Sequence, residues 1–468
     1  MLKKNNLLAG IILSLGLFFL APPAATAQTI TLDLAGGNCH EIGNWDPATL
    51  TCTLTADTSA SISFRGNGIT LDGNGHVMTG PGSGTGVGVG RAHFLTIKNL
   101  TIRNYFFGIH VNYFASEIQI TNNRLENNIY GAEIRRGNHD LTISGNTFVN
   151  NSFVGIRFFL RNHDNVVSGN RFESTGSGVS LWHHNSRNVV SENVFVSNSG
   201  TSIYISSGKA VTEFGEIIGI DNQVTANTIS GSRLGIGLTF AAENTVRDNT
   251  IENSGEVGIR MYCARPTGCI GNEISGNTVT DNPVGIQIEG AAEDNLIYNN
   301  AFRNPRNFRI LQNYFYYANQ WSVPKTPGTN IAGGPFLGGN LWSKPDGSGY
   351  SDNCTDADGD ALCDVPYFLR VGNTDHLPLV GNLYSACGLS DVLESMDLPH
   401  GIANSLLAKA KNLCAAYEKG NLKAAAGMLG AFIAEAEAQR GKKLTGADAG
   451  KLIAYAEGVA AKLEDEMP

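Results

Sequence analysis

The stretch ISGNTFVNNSFVGIRFF, Ile143 to Phe159, carries an asparagine in mid-run, a Gly-Ile pair nine residues after it, and apolar residues alternating with exposed ones. Its asparagine recurs. Asn99, Asn123, Asn146, Asn170 and Asn193 are spaced by 24, 23, 24 and 23 residues, and Asn227, Asn249, Asn277 and Asn300 continue the series. A second marker keeps the beat at Gly108, Gly131, Gly155, Gly178, Gly235, Gly258 and Gly285, with a weaker member at Gly200. A period in the twenties marks a solenoid. Short alternating runs of Ile, Val, Thr and Phe, with no helical stretch between them and no Leu-x-x-Leu-x-Leu pattern, favour a parallel β-helix over a leucine-rich repeat.

Each coil of such a fold rises by about one strand spacing, roughly 4.8 Å, so residues one period apart stack. The asparagines are then expected to form a hydrogen-bonded ladder. The glycines supply either positive φ or room for a tight corner. Two loops interrupt the beat, one near SSGKAVTEFGE and one between Cys263 and Cys269.

Composition agrees with a mainly β protein: 56 Gly and 16% charged residues across 468 positions. Residues 1–27 read as a signal peptide, with Lys3-Lys4, an apolar run from Leu7 to Leu20, and Ala25-Thr26-Ala27. No later apolar run approaches the roughly 20 residues that cross a bilayer, so a secreted or periplasmic protein without a membrane span is expected, acting as a monomer. Eight cysteines fall as sequence-local pairs: Cys39 with Cys52, Cys263 with Cys269, Cys354 with Cys363, and Cys387 with Cys414. Four disulfides are expected in an exported chain. The net charge of −9 argues against a nucleic-acid partner.

Outward positions after each Gly-apolar pair can be stacked into columns. The first is His110, Glu133, Arg157, Ser180, Ser202, Gly237, Arg260, Gln287; the second is Asn112, Arg135, Phe159, Trp182, Tyr204, Thr239, Tyr262, Glu289. Charges beside aromatic rings suit an acidic sugar polymer, since Arg pairs with carboxylates and flat rings stack on pyranose faces. Phe159, Trp182, Tyr204, Tyr262, Arg161 and Arg260 are the expected substrate-binding residues. In the following turn Asn138-His139-Asp140 precedes Asn162-His163-Asp164 by 24 residues, which stacks His139 on His163. Eliminative cleavage of a uronate polymer needs a carboxylate neutraliser and a base; Arg157, Arg135 and Arg161 fit the first role, and His139, His163 or Tyr204 the second. Hydrolysis needs two carboxylates. Glu133 has no acidic neighbour in its column, only Asp140 and Asp164 in the turn, so a lyase or epimerase ranks above a hydrolase. The stacked His and Asp pairs could instead hold a transition metal.

Asp352, Asp356, Asp358, Asp360 and Asp364 crowd a loop around Gly359 that Cys354 and Cys363 can close. This resembles the Asp-rich calcium loops of extracellular modules, with structural Ca²⁺ expected. From Cys387 onward Ala, Lys, Leu and Glu at helical spacing predict three helices, with Gly420 and Gly441 as stops and Thr445 as a cap.

Two family resemblances follow. ITLDGNGHVMTG, the coils, and above all GGPFLGGNLWS make residues 60 to 380 similar to the NosD-like family of exported right-handed β-helix proteins. That resemblance implies the fold, while its members range from accessory proteins in copper-enzyme maturation to polysaccharide-active enzymes. GIANSLL, Phe432-Ile433, GKKLT and LIAYAE make the tail similar to FIMAH domains, which implies attachment or packing. The expected organisation is a signal peptide at 1–27, a right-handed parallel β-helix at 28–383 including the loop at 352–364, and a FIMAH-like helical domain at 384–468. The expected function is binding and processing of an acidic polysaccharide. A non-catalytic glycan-binding or surface protein is the alternative, and a copper-maturation accessory protein comes third.

Overall fold

The computed structural model describes residues 28–467 apart from 207–209, 212–216, 264–267, 312–316, 382–385 and 397. The expected signal peptide and the tip of each long loop lie outside the described residues.

The chain winds into a parallel β-helix of three sheets. Sheet A has twelve strands running from Thr29–Asp33 to Phe308–Leu311; sheet B has twelve, ending at Leu296–Tyr298; sheet C has eleven, from Val77–Thr79 to Leu341–Ser343. One coil contributes one strand to each: Val154–Phe159 to A, Val166–Ser168 to B and Arg171–Glu173 to C. The inward residues form a continuous apolar column in which Phe148, Phe172 and Phe195 stack face to face with centroids 4.8 and 4.7 Å apart.

Period-matched asparagines hold the corners. Asn146 Nδ2 donates to Asn170 Oδ1 at 3.0 Å, and the same oxygen accepts the Asn146 backbone N–H at 2.9 Å. The ladder runs from Asn123 to Asn300, crosses the 34-residue gap through Asn193 and Asn227, and continues to Asn340. Buried amides are thereby satisfied. Asn99 is not a rung: it lies one residue early, with φ of 55°, and Leu100 takes the rung's place by donating its N–H to Asn123 Oδ1. The single ladder expected is joined by others, including Asn165, Asn188, Asn222, Asn244, Asn272 and Asn295 at the entry to sheet B.

The recurrent glycines are required for close approach, since none of the seven has positive φ. A Cβ on Gly131 would stand 2.5 Å from the Gly155 carbonyl oxygen, and one on Gly178 would meet Phe195 at 2.4 Å. Gly200 does not belong to this column. It sits above Gly176, and Ser202 takes the glycine's place, because Val179 pairs with Ile203.

All four disulfides form as expected: Cys39 with Cys52, Cys263 with Cys269, Cys354 with Cys363, and Cys387 with Cys414. Cys39 and Cys52 are both completely buried and belong to the solenoid core. Cys52 lies in sheet B between Trp45 and Leu71, so its bond pins the first coil from inside and offers nothing to a ligand. The inward turn follows from alternation in Thr51–Leu54, where Cys52 and Leu54 are the buried positions.

The tail has its own core. Its helices are Gly388–Ser395, which the sequence reading missed, then His400–Glu418, Leu422–Gln439 and Gly446–Glu466. Gly420 and Gly441 adopt φ of 69° and 71° at the helix ends, and Thr445 Oγ1 accepts the Asp448 N–H.

Candidate functional site

Residues facing outward from sheet A stack in register, with one correction. His110, Glu133, Arg157 and Ser180 align, but the next member is Tyr204, followed by Gly237, Arg260, Gln287 and Arg309. Tyr204 therefore belongs to the first column, and Ser202 is buried against Ser232. The two-residue slip follows from taking Gly200 as the column marker. In the second column Phe159 pairs with Trp182 and Thr239 with Tyr262.

Around Arg157 the geometry is closed. Glu133 is fully buried, and its carboxylate receives Arg157 Nε and Nη2, each at 2.7 Å; Arg135 Nε stands 3.7 Å away. Glu133 is thus not an outward ligand, because the Arg157 side chain covers it. The guanidinium lies 4.6 Å from the Tyr130 ring centroid, 5.3 Å from Phe159 and 5.8 Å from Trp182. Burial alone would lower the Arg157 pKa, but bonding and charge from Glu133 outweigh it and raise it. Tyr130 and Phe153, which complete this cage, escaped the sequence reading. They precede the Gly-apolar pair, a position the alternation pattern did not assign to the face.

Below Arg157 lies His110, stacked on Phe107 with centroids 4.6 Å apart. Burial, with a smaller contribution from the Arg135 charge, lowers its pKa to about 4. Its buried Nε2 has no hydrogen-bond partner among the described residues.

A hollow opens higher up. Gly237 interrupts the column between Tyr204 and Arg260, leaving a notch of about 320 Å³ walled by Tyr204, Tyr262, Arg233 and Arg260. Arg260 Nε bonds Glu289 at 2.7 Å and its guanidinium lies 5.5 Å from the Tyr262 ring centroid. The notch thus gathers Tyr204, Arg260 and Tyr262 from the predicted set, and adds Arg233, which no column contained.

The turn after sheet A also follows the sequence reading. His139 and His163 stack with centroids 5.1 Å apart and planes 2° apart. Each Nδ1 faces its own neighbour, Asp140 at 2.7 Å and Asp164 at 2.8 Å. Arg187 grips Asp164 through two bonds of 2.7 and 2.8 Å, and holds its pKa down at about 2 with help from His163. Arg161 is exposed on the same turn, with φ of 59°.

The acidic loop is only partly assembled. Carboxylate oxygens of Asp356, Asp358 and Asp364 lie within 4.8 Å of one another. Asp352 instead accepts the backbone N–H groups of Lys344 and Gly349, and Asp360 bonds Lys325. Asp356 accepts the N–H groups of Asp360 and Ala361, and burial raises its pKa.

The sequence matches the family described as right handed beta helix region over residues 58–216, and the family described as periplasmic copper-binding protein (NosD) over residues 217–347. The chain is therefore similar to right-handed parallel β-helix proteins of the NosD type along its coils. Residues 217–347 contain no histidine, their two cysteines are joined as a disulfide, and their one methionine, Met261, is buried. These donors do not fit a copper site.

No curated protein matches the sequence. Among solved structures, the Dettilon tailspike protein shares 16% identity at a TM-score of 0.46, over 61% of this chain and 60% of that one. The catalytic domain of a GH87 alpha-1,3-glucanase carrying one aspartate-to-alanine substitution, in complex with nigerose, shares 13% at 0.43, over 62% of each chain. An alginate lyase from Paenibacillus sp. str. FPU-7 shares 15% at 0.38, over 63% of this chain and 98% of that one. The chain spans about 60% of the length of the first two.

Proposed function

We propose that this is an exported protein that binds an anionic polysaccharide on the outward face of sheet A, with the notch above Gly237 as its principal subsite. The observation that carries this reading is the notch itself: a sugar-sized hollow with two tyrosine rings for stacking and two partly exposed guanidinium groups on its walls, Arg233 paired with Glu256 and Arg260 paired through Nε with Glu289, whose remaining N–H groups face a ligand's acidic oxygens. Four arginines, Arg135, Arg157, Arg260 and Arg309, stand against two carboxylates, Glu133 and Glu289, along the two columns, a local balance of +2 in a chain of net −9. Disulfides fit an oxidising compartment.

Gly237→Gln tests the notch by filling it. Gln287 already occupies the same column two rungs above, so the fold tolerates that side chain. Retention on immobilised polygalacturonate or alginate is expected to fall at least tenfold, about 1.4 kcal/mol, for Gly237→Gln and for Arg260→Ala, with neutral dextran unaffected. Unchanged retention by both variants would sink the reading.

The Asp-backed imidazoles favour a second reading, eliminative processing of the bound chain. With Nδ1 engaged by Asp140 or Asp164, the other nitrogen of His139 or His163 is poised to take a proton from the carbon beside the uronate carboxyl. The bond from the adjacent carbon to the glycosidic oxygen then breaks as a carbon–carbon double bond forms, and the departing oxygen takes a proton from solvent, leaving an unsaturated sugar. Hydrolysis ranks lower because Glu133 is engaged with Arg157. Incubation with uronate polymers decides it: new ultraviolet absorbance that His163→Ala abolishes supports a lyase, and reducing ends without absorbance indicate hydrolysis.

We further propose that Ca²⁺ binds Asp356, Asp358 and Asp364, displacing Lys325, whose ammonium lies 4.0 Å from Asp358. The thermal midpoint is then expected to rise by several degrees with millimolar calcium and to fall back with chelator, whereas Asp358→Asn removes the response. The helical tail, from its FIMAH-like motifs, is proposed as an attachment or packing module.

A further inference from the structure

The first outward column does not end at the notch. Arg260 pairs with Gln287 on the next rung and Gln287 with Arg309 on the one above. A polar chain follows the same path: Arg309 donates to Gln287, Gln287 donates to Glu289, and Glu289 accepts from Arg260. At its upper end the face opens into a cleft of about 580 Å³, larger than the notch and formed where the last coils meet the segment after Trp342.

The lining of this cleft is cationic and aromatic. Four cationic side chains, Arg306, Arg309, Lys344 and Arg370, line it, and among the described residues no acidic side chain does, in a chain of net −9. The nearby carboxylate of Asp352 accepts the backbone N–H groups of Lys344 and Gly349, so part of its charge is already satisfied within the wall. Tyr350 and Tyr367 stack with centroids 4.2 Å apart, and Phe308 meets Tyr367 edge-on at 5.9 Å, so part of the wall is a fixed aromatic surface. The cations are held as well: Arg370 Nη1 donates to the Ile310 carbonyl at 2.8 Å, and Arg309 is tied to Gln287.

Cations over fixed rings recognise a ligand that is anionic on one side and flat on the other. We propose that this cleft is a second binding site, specific for an acidic sugar residue, and that it holds one end of a glycan whose adjoining residues run down the column to the notch. The run-down part rests on the function proposed above; the affinity for an acidic sugar does not. Gly237 and Arg309 are three rungs apart, about 14 Å at the spacing of parallel strands, so a short oligosaccharide spans both.

The test is calorimetric titration of the full chain with galacturonate, glucuronate, glucose, sulfate and hexagalacturonate. The wild type, Gly237→Gln and the double variant Arg306→Ala/Lys344→Ala are compared, with near-ultraviolet dichroism confirming the fold. A single uronate is expected to bind a cleft site whose affinity Gly237→Gln leaves unchanged and the double variant weakens at least tenfold, while glucose does not bind. Hexagalacturonate is expected to bind more tightly than the monosaccharide and to lose affinity in both variants. Uronate binding that the double variant leaves unchanged overturns the proposal, as does sulfate binding as tightly as uronate, which would make the cleft a general anion site. Monosaccharide binding without any hexasaccharide advantage leaves the cleft standing and removes the continuous track. Hexasaccharide binding that only Gly237→Gln impairs leaves the notch standing and removes the cleft.

Discussion

Replacing Glu133 with alanine is expected to destabilise the protein by about 3 to 5 kcal/mol, the usual cost of breaking one half of a buried ion pair. The carboxylate is completely excluded from solvent, and the Arg157 side chain above it is only 14% exposed. Without Glu133 the guanidinium would stay caged by Tyr130, Phe159 and Trp182, with cation–π contacts worth about 0.5 to 2 kcal/mol as its remaining compensation. Arg157→Ala is expected to cost nearly as much, because it strands the carboxylate. Glu133→Gln/Arg157→Met, which removes both charges and keeps the volume, is expected to recover most of the loss. Urea midpoints of the three variants check this, and a double variant no more stable than either single would show that the pair is not coupled. Since Arg157 is closed over a fully buried partner, its variants should alter stability more than retention on a uronate column, whereas Arg260, whose side chain is 33% exposed and walls the notch, should do the reverse when replaced by alanine.

That contrast shows what one sequence can and cannot convey about a solenoid. The period was legible because a stacked fold repeats its constraints at every level: Asn146 needs Asn170 above it, and Gly131 must pass under the Gly155 carbonyl. The outward columns were legible for the same reason, as were the stacked His139 and His163. Alternation, however, specifies only which way a residue leaves the strand. It could not show that Arg157 folds down over Glu133, nor that the shift at Gly200 would place Tyr204 beside Gly237. Both facts depend on side-chain conformation or on one irregular coil. The notch was invisible because it is made by an absent side chain. The upper cleft was missed because Arg306, Lys344, Tyr350 and Arg370 lie beyond or between repeats, where no period brings them into register.

The motif GGNLWS acquires its meaning at the same end of the solenoid, through a residue that no repeat points to. Asp375 closes the asparagine ladder: its Oδ2 accepts the Asn340 N–H and the Trp342 Nε1–H, each at 2.8 Å, and its Oδ1 accepts the Leu377 N–H at 3.2 Å. Gly339 is glycine because a Cβ there would fall 1.7 Å from Asp375 Oδ1. Asp375→Ala leaves two or more buried donors without an acceptor and is expected to cost about 3 kcal/mol or more. The same site makes stability pH-dependent. Burial raises the Asp375 pKa to about 7 from 3.8, against the opposing effect of its donors. The folded state therefore holds the proton more tightly than the unfolded chain. The stabilisation is fully present below about pH 4 and is lost as pH rises towards 7, by on the order of 4 kcal/mol. His110 acts in the opposite sense over much of this window. Its pKa is lowered from 6.5 to about 4, so its contribution is fully present above pH 6.5 and is lost as pH falls towards 4. The wild-type profile alone would hide both. The difference in unfolding free energy between wild type and Asp375→Asn, measured from pH 4.5 to 8, cancels the His110 contribution and is expected to shrink steadily up to about pH 7 and then level off. A difference that stays constant across that range would mean that Asp375 is ionised throughout and caps the ladder as a carboxylate.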